Sequence, residues 1–282
     1  MRGVLVVNHF LNSEKYKEQT ELYRSAADAL GIQLTVCTNA RRCPDSDFVL
    51  FLDKDVAYAG ELESCGRRVF NSARAIALCD DKALTYLALK SSSVPMPKTL
   101  IAPMTFFPTD WTKNPFLEIA HQEIGFPMVV KEACGSFGWQ VWLIENQEDL
   151  AAKLAECSPK RVILQEYVAS SHGRDVRINI VGGKPVAAMY RYSHTDFRAN
   201  ISSGGSMRAY TPTDEQVKVA TEACRVLGLD FGGVDLLFGV DDAPILCEVN
   251  SNAHIKNILS CTGINVAEHI LRHILTQMEQ DL

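Results

Sequence analysis

Oxygen-bearing side chains occur in two apolar segments near the C-terminus. Asp235 lies in the segment 234–239, Glu248 lies in the segment 245–249, and Asn250 follows it directly. If the two segments are neighbouring strands, these side chains form a site for a hard cation such as Mg²⁺, which is often held by one or two carboxylates plus substrate phosphates. A buried salt bridge or an outward-facing strand position is the structural alternative, because a carboxylate in an apolar strand needs a partner.

A second candidate site combines a lysine with a glycine-bearing turn. Lys131 ends the apolar segment 128–132, and the sequence Gly135-Ser136-Phe137-Gly138 follows. Backbone N–H groups of such a turn can approach an anion, so the pattern favours a phosphate cradle. A solvated lysine at a strand end next to an ordinary turn is the alternative. No Gly-Lys-Ser/Thr sequence follows, which excludes the Walker type of phosphate loop.

Arginines are concentrated in one otherwise apolar or neutral stretch, and two of them, Arg177 and Arg191, interrupt predicted strands. The stretch contains Arg174, Arg177, Arg191 and Arg198, with Arg208 beyond it. Guanidinium groups bind carboxylates and phosphates through two parallel hydrogen bonds. Arg177 and Arg191 are therefore candidate catalytic residues that bind a carboxylate or a phosphate. Scattered arginines on a partly solvated sheet are the alternative.

The elements that position these residues begin with alternating strands and helices. Strand patterns at 4–7, 34–37 and 48–52 and a helical pattern at 15–30 predict a parallel βαβ unit. Residues 8–12 follow the first strand and contain no glycine, which excludes a dinucleotide-binding turn. Residues 80–89 predict a helix that begins with acidic caps, and the prolines at 95 and 97 end it, so we expect a boundary near residue 95.

Beyond residue 95 the pattern changes to hairpins. Strands are predicted at 128–132, 139–144, 162–168, 176–181, 185–192, 234–239 and 245–249, and helices at 149–157, 214–227 and 266–278. The expected fold class is mixed α/β and α+β. We expect three parts: residues 1–95 as the βαβ domain, 96–168 as a central subdomain with the glycine turn, and 169–282 as a C-terminal subdomain with the metal site.

Composition limits the class of protein. The chain has 282 residues, of which 47% are hydrophobic, and its net charge is −6. This charge gives no general affinity for nucleic acid or acidic membranes, and no apolar run reaches the roughly 18 residues of a membrane span. The nine cysteines show no zinc or redox spacing and predict reduced thiols. We therefore expect a cytoplasmic protein.

The order of motifs from about Phe70 to Ala267 resembles the ATP-grasp superfamily, specifically its RimK-type amino-acid ligases. The matching pieces, in chain order, are Asn71-Ser72, Asp81-Lys82, Pro97-Lys98-Thr99, Gly125-Phe126-Pro127, Lys131, Gly135-Ser136-x-Gly138, Gln165-Glu166-Tyr167, Gly173-Arg174-Asp175-Val176-Arg177, Asp196-Phe197-Arg198-x-Asn200, Gly204-Gly205, Gly233-Val234-Asp235, Glu248-Val249-Asn250 and Thr262-Gly263-Ile264. The resemblance implies an ATP-grasp fold, in which the central subdomain acts as a lid and the C-terminal subdomain carries an antiparallel sheet.

The resemblance also implies roles for individual residues. By it, Lys82 and Lys131 contact the nucleotide phosphates beside the turn at Gly135, Ser136 and Gly138; Glu166 and Tyr167 bind the adenine; Asp175 contacts the nucleotide; Arg198 and Asn200 face the triphosphate; and Asp235, Glu248 and Asn250 hold magnesium. This metal set is the same one that the residue types indicate without the resemblance.

The implied activity is the joining of a carboxylate, such as that of glutamate, to an amine through an acyl phosphate, with release of ADP and phosphate. ATP and Mg²⁺ are the implied cofactors, with Mn²⁺ as an alternative metal. We expect a small-molecule or peptide substrate and no nucleic-acid or membrane partner, and a homodimer and a homotetramer both stay open. After Asn250 the chain departs from the family's Ala-Ser-Pro-Gly pattern and reads Ser251-Asn252-Ala253-His254, so we expect a different acceptor pocket.

Two other functions share the same nucleotide site. One is a nucleotide-binding sensor or accessory protein without ligase activity. The other is a phosphotransferase that acts on a small molecule. Trapping with hydroxylamine separates the latter from a ligase, because hydroxylamine captures an acyl phosphate and leaves a phosphate ester intact.

Overall fold

The computed structural model describes residues 1–135, 138–201 and 204–280. Within these residues the strands form three sheets, and each sheet comes from a separate stretch of the chain. Ser136, predicted as part of the phosphate cradle, lies outside the described residues.

The N-terminal stretch forms a parallel sheet. Its elements are β1 (Arg2–Val7), α1 (Glu14–Ala29), β2 (Gln33–Thr38), β3 (Phe48–Leu52), α2 (Val56–Ser64) and β4 (Val69–Phe70). The strand order is β2-β1-β3-β4. Every residue of the central strand β3 is buried, as expected for a parallel sheet that is covered on both faces. The predicted βαβ unit is confirmed.

Two short helices connect this sheet to the rest of the chain, α3 (Ala73–Asp80) and α4 (Lys82–Leu89). The predicted helix at 80–89 with acidic caps at its start is confirmed as α4, and a separate helix that was not predicted, α3, ends directly before it at Asp80. Asp81 caps the new helix: its Oδ1 accepts hydrogen bonds from the backbone N–H of Ala83 at 2.8 Å and Leu84 at 3.1 Å. This break places Lys82 in the first turn of α4.

The central stretch forms an antiparallel sheet. Its elements are β5 (Thr99–Ile101), α5 (Phe116–Glu123), β6 (Met128–Glu132), β7 (Val141–Ile144), α6 (Gln147–Cys157) and β8 (Val162–Glu166). The strand order is β5-β8-β6-β7. Leu150 and Leu154, one helical turn apart on α6, are fully buried in the core beneath this sheet.

The C-terminal stretch forms a five-stranded antiparallel sheet. Its elements are β9 (Arg174–Val181), β10 (Lys184–Tyr192), β11 (Ser206–Ala209), α7 (Asp214–Leu227), β12 (Phe231–Phe238), β13 (Pro244–Asn250), α8 (Lys256–Thr262) and α9 (Val266–Gln280). The strand order is β11-β10-β9-β12-β13. Helix α7 follows its sequence signals, because Thr213 forms a capping box with Gln216 and Gly228 ends the helix with a φ of 73°.

Two hydrophobic cores hold this sheet against the other elements. One contains Cys79 of α3 and Leu89 of α4 together with α7 and the sheet. The other joins Tyr23 of α1, Met189 of β10 and Ile270 of α9 in one cluster. The first half of α1 also contacts the segment that follows β13, because Gln19 accepts a hydrogen bond from the backbone N–H of Ile255 and Glu18 forms an ion pair with Lys256. Among the described residues, no helix is both long enough and apolar enough to cross a membrane.

Candidate active site

A row of charged side chains crosses the C-terminal sheet. Asp235 of β12 lies opposite Glu248 of β13 on one side and opposite Arg177 of β9 on the other. Asn250 lies two residues beyond Glu248 and pairs with Gly233, so it projects from the same face of β13 as Glu248. The strand register therefore brings the three predicted metal ligands together on one face.

Two arginines bind two aspartates in this row. Arg177 donates to both carboxylate oxygens of Asp235 at 2.6 Å. Arg191 donates to Asp175 at 2.6 and 2.7 Å, and its Nη2 lies 2.9 Å from Oδ2 of Asp235. The buried salt bridge that the sequence offered as an alternative for Asp235 is therefore present. Arg191 is 4% exposed, so the alternative of a surface arginine does not hold for it.

Burial and charge act in opposite directions on this network. Burial raises the pKa of Asp235, but the charges and hydrogen bonds of Arg177 and Arg191 outweigh it, and the pKa lies below its usual value. For Asp175, burial outweighs the attraction of Arg191, and the pKa is raised. Burial lowers the pKa of Arg191, but the two aspartates raise it further, so this guanidinium stays charged.

Two lysines approach the row from other elements. Lys131 of β6 is 8% exposed, and among the described residues the polar contact of its Nζ is Sγ of Cys247 at 4.0 Å. Lys82 at the start of α4 has its Nζ 4.0 Å from Oε1 of Glu248. Its burial excludes the solvated strand end that was the alternative for Lys131. A nearly buried ammonium needs an anionic partner, and among the described residues Lys131 has no carboxylate within ion-pair distance.

The glycine turn is tied to the loop that follows β10. Arg198 donates through Nη1 to the carbonyl oxygens of Gly138 and Val141, and it also forms a two-point ion pair with Asp196. Gly138 has a φ of 75°, and a Cβ there would lie 3.2 Å from the amide of Asn200. Both features favour glycine at this position.

A cavity of about 100 Å³ lies between the central and C-terminal sheets. Val129 and Lys131, two residues apart on β6, line it together with Glu166 and Tyr167 at the end of β8. The Tyr167 hydroxyl is hydrogen-bonded to Nδ1 of His172. The lining of this cavity thus combines apolar side chains such as Val129 with charged ones such as Lys131.

A second cavity of about 750 Å³ lies between the N-terminal and C-terminal sheets. Arg177 and Asn250 line its C-terminal side, and Lys15 and Tyr16 of α1 line its N-terminal side. The two cavities share Lys82, Gly138, Val141, Arg191, Asn200, Asp235 and Glu248. The charged row on the sheet therefore lies where the two cavities meet, and we call these seven shared residues the junction.

His254 also lines the larger cavity. Its pKa predicts that the free energy of unfolding depends on pH. Burial, and then the charge of Lys15, lower its pKa from 6.5 to about 4. The unfolded chain therefore binds more protons than the folded protein between these values, and the free energy of unfolding falls as the pH is lowered through that window. The full shift corresponds to about 3 kcal/mol.

Replacing His254 with glutamine is expected to reduce the loss of unfolding free energy that the parent shows when the pH is lowered. Urea unfolding at neutral pH and at about pH 4.5 measures it, and His269→Gln, at an exposed position on α9, is the matched control. An equal loss of stability on acidification in the parent and in His254→Gln would show that His254 is not responsible.

Most of the chain matches the model of a known protein family. Residues 79–274 match the family model described as the RimK-like ATP-grasp domain, and this segment is well over half of the chain. The chain belongs to the RimK-like ATP-grasp family. The matched segment contains both lysines, the glycine turn and the charged row.

Relatives and solved structures agree with this membership. Beta-citrylglutamate synthase B of Danio rerio is 34% identical over 236 residues, which cover 82% of this chain and 56% of that protein. A protein named "Probable alpha-L-glutamate ligase" from Syntrophotalea carbinolica is 32% identical over 207 residues, which cover 72% of this chain and 66% of that protein. The crystal structure of D-cycloserine synthetase DcsG superposes with a TM-score of 0.79 and 20% identity, covering 99% of this chain and 100% of that one.

These findings confirm the ATP-grasp fold and the enzyme class that the motifs imply. The protein is an ATP-dependent carboxylate-amine ligase. ATP-grasp ligases use ATP and typically Mg²⁺. The sensor and phosphotransferase alternatives have no comparable support.

The oxygen atoms of Asp235 and Glu248 at the junction, together with that of Asn250 beside it, fit a magnesium ion. Among the described residues no group of three or more His, Cys, Asp and Glu side chains is arranged to hold a metal, so a cation here needs amide and phosphate oxygens besides Asp235 and Glu248. A carboxylate offers about four acceptor sites, and the arginines take three of those on Asp235. One site on Oδ1 remains. Asn250 uses its Nδ2 on the Gly233 carbonyl at 3.5 Å, which leaves its amide oxygen as an acceptor.

The ATP-grasp fold brings together all the predicted site residues that the structure describes. Those at the junction are Lys82, Gly138, Arg191, Asn200, Asp235 and Glu248; those of the smaller cavity alone are Lys131, Glu166, Tyr167, Asp175 and Arg198; and those of the larger cavity alone are Gly135, Arg177 and Asn250. Sequence analysis missed Lys15 and Tyr16. It noted the segment around His254 only as a departure from the family pattern.

Proposed function

We propose that this ligase joins a carboxylate to an amine through an acyl phosphate. ATP would bind with its base in the smaller cavity and its phosphates at the junction, and the acid and the amine would bind in the larger cavity. The observation that carries the proposal is the position of Lys82, Asp235 and Glu248, which line both cavities. Phosphate-binding groups at a shared boundary allow a nucleotide on one side to react with an acid on the other.

The proposed reaction has two steps. An oxygen of the substrate carboxylate attacks the γ-phosphorus of ATP, and the bond to the bridging oxygen breaks, so that ADP leaves and an acyl phosphate forms. The amine nitrogen then attacks the acyl carbon, the carbon–oxygen bond to phosphate breaks, and the amine loses a proton. The products are an amide, ADP and phosphate, and no side chain needs to form a covalent bond.

The lysines would supply the electrostatic part of catalysis. Lys131 is nearly buried, so its charge acts in a region of low dielectric and stabilises negative charge more strongly than an exposed lysine would. Lys82 would neutralise the phosphate oxygens from the side of α4. Asp235, Glu248 and Asn250 would hold magnesium, which in phosphoryl transfer neutralises charge on the β- and γ-phosphate oxygens.

The glycine turn would close the site. Arg198 holds the carbonyl groups of Gly138 and Val141 and is itself fixed by Asp196, so the turn and the loop after β10 are linked. Glycine lets the backbone approach the phosphates closely. Excluding water there protects the acyl phosphate from hydrolysis.

An acidic amino acid is the substrate that the comparisons and the charges favour. Both named relatives carry glutamate in their names. Arg177 lines the larger cavity and uses its Nε and Nη2 on Asp235, which leaves Nη1 to face a substrate carboxylate. Arg191 uses the same two nitrogens on two aspartates in the interior, so of the two arginines Arg177 is the better placed to touch the acid.

We also propose that the protein is cytoplasmic. All nine cysteines are free, as predicted, which is usual in a reducing compartment.

The proposed activity is tested by following ADP release with ATP, Mg²⁺ and a panel of amino acids and polycarboxylic acids. The same mixtures are repeated with hydroxylamine in place of the amine. We expect hydroxamate to form with at least one acid, because hydroxylamine captures an acyl phosphate.

Two results would contradict the proposal. A stable phosphate ester without hydroxamate would identify a phosphotransferase. ATP binding without ADP release across the whole panel would identify a nucleotide-binding protein without ligase activity.

A further inference from the structure

A buried asparagine links the end of β4 to two strands of the C-terminal sheet. Asn71 directly follows β4, and its side chain is fully buried. Its Nδ2 donates to the carbonyl oxygens of Phe231 at 2.9 Å and Ser251 at 3.0 Å. Its Oδ1 accepts from the backbone N–H groups of Asp230 at 2.8 Å and Phe231 at 3.2 Å. The amide thereby uses both of its N–H donors and both lone pairs of its oxygen.

These hydrogen bonds lie where the pairing of β12 with β13 ends. The last pair of the ladder joins Gly233 to Asn250, whereas β12 itself begins two residues earlier, at Phe231. Asn71 therefore bonds β12 beyond that last pair, and it also holds the backbone of Ser251, the residue that follows β13. A side chain that bonds two strand ends in this way satisfies their backbone groups and fixes their separation, as a ladder hydrogen bond does.

The position of Asn250 depends on this backbone more than on a contact of its own side chain. Its Nδ2 lies 3.5 Å from the carbonyl oxygen of Gly233, a distance at which a hydrogen bond is weak. Its backbone is paired with Gly233, and the next residue, Ser251, is held by Asn71. Asp235 differs, because two arginines hold its carboxylate. Loss of the Asn71 amide should therefore move Asn250 and leave Asp235 in place.

We propose that Asn71 is a positioning residue for the magnesium site, and that it acts through the backbone of Ser251 on the amide oxygen of Asn250. Asn71 is buried and lines neither cavity, so it would touch neither the metal nor the nucleotide. The inference rests on the magnesium site of the proposed function. A purely structural role is the alternative, and it predicts a loss of unfolding free energy without a change in metal binding.

The experiment measures metal binding apart from turnover. Mn²⁺ is titrated into the protein in the presence of ADP, and electron paramagnetic resonance of the free Mn²⁺ gives its Kd. The variants are Asn71→Ala, which removes all the hydrogen bonds of the amide, and Asn71→Ser, whose hydroxyl offers one donor. Ser72→Ala is the matched control, because Ser72 adjoins Asn71 and its Oγ caps α3 by accepting from the N–H of Ala75 at 3.2 Å.

We expect Asn71→Ala to raise the Kd for Mn²⁺ about threefold to tenfold, which is less than the roughly 10- to 100-fold that follows loss of a side chain bonded directly to a metal ligand. The Mg²⁺ concentration for half-maximal ADP release should rise by the same factor, and the rate at saturating Mg²⁺ should stay within about twofold of the parent. Asn71→Ser should show a smaller rise. Ser72→Ala should lower the melting temperature and leave the Kd unchanged.

A double variant tests the route of the effect. Asn250→Ala should itself weaken Mn²⁺ binding, and adding Asn71→Ala to it should cause no further rise in the Kd, because the effect of Asn71 passes through Asn250. The full rise in that background would show that Asn71 acts by another route and would overturn the proposal.

Two other results would overturn it: a parent-like Kd in both folded Asn71 variants, or an equal rise in Ser72→Ala. If Asn71→Ala does not fold, Asn71→Ser decides, and failure of both to fold would assign Asn71 a structural role only. A parent that binds Mn²⁺ beside ADP but forms no hydroxamate with any acid would refute the ligase reaction and leave the positioning role in place. A parent that binds no Mn²⁺ beside ADP would overturn the positioning role together with the metal site.

Discussion

Replacing Glu248 with glutamine is expected to lower the rate of acid-dependent ADP release about a hundredfold to a thousandfold. The substitution keeps the volume of the side chain and removes its charge from the junction. Glu248 is suited to this test because its side chain is 29% exposed and its nearest cation, Nζ of Lys82, is 4.0 Å away. Little folding energy should therefore depend on the charge, whereas the proposed magnesium site would lose one of its two carboxylates.

Turnover is measured as a function of Mg²⁺ concentration, and thermal unfolding is measured in parallel. Glu268→Gln on α9, where the glutamate pairs with Arg272 on the surface, is the matched control and should leave turnover unchanged. Near-normal turnover of Glu248→Gln at saturating Mg²⁺ would assign Glu248 a structural role only.

Asp235→Asn should also abolish turnover, but the reason would be harder to assign. Asp235 is 5% exposed and accepts hydrogen bonds from two arginines. Its replacement would remove a proposed metal ligand and at the same time weaken the charge balance of a buried network. The Glu248 variant therefore isolates the role of the metal site, and the Asp235 variant does not.

The pairing of Asp235 with Glu248 could be predicted from the sequence because the two strands are neighbours along the chain. Two apolar segments separated by a short turn form a hairpin, and a hairpin places its polar residues opposite one another. The pairing of Arg177 with Asp235 could not be predicted in this way. These residues lie 58 positions apart, and α7 and two strands intervene between β9 and β12.

The wall of the larger cavity that α1 and the segment after β13 form could not be predicted from the sequence either. Tyr16 meets His254 through tertiary contacts between α1 and the segment after β13, where Gln19 accepts a hydrogen bond from the backbone N–H of Ile255 and Glu18 pairs with Lys256. No local pattern at residue 16 signals that contact. By contrast, the acidic cap of α4 could be predicted, because Asp80 and Asp81 directly precede its helical pattern and Asp is a favoured N-cap residue.

Replacing Arg191 with methionine is expected to lower the free energy of unfolding by about 3 to 5 kcal/mol. Methionine fills much of the same space, but Asp175 loses both of its hydrogen bonds from Arg191. Asp235 keeps Arg177, so the loss falls mainly on Asp175, which is 7% exposed. Urea unfolding measures the loss, and Arg225→Met on the exposed side of α7 should change the unfolding free energy by less than about 1 kcal/mol.

The pH dependence of this loss has a defined sign. Burial already raises the pKa of Asp175, and without Arg191 it should rise further. A carboxyl whose folded pKa exceeds its unfolded value binds more protons in the folded state, so stability falls as the pH rises through that interval. The difference between parent and Arg191→Met should therefore be larger at neutral pH than in acid. An equal difference at both pH values would contradict an unpaired Asp175 as the cause.

A double variant then separates the structural role of Arg191 from a catalytic one. Combining Arg191→Met with Asp175→Leu removes both partners of the pair, and an apolar replacement of a buried ion pair is often neutral or stabilising. We expect this variant to regain most of the lost stability, with a coupling energy between the two substitutions of about 2 kcal/mol. If ADP release returns together with stability, Arg191 acts only by holding the sheet and Asp235 in place. If stability returns and ADP release stays low, Arg191 or Asp175 touches the reacting groups at the junction.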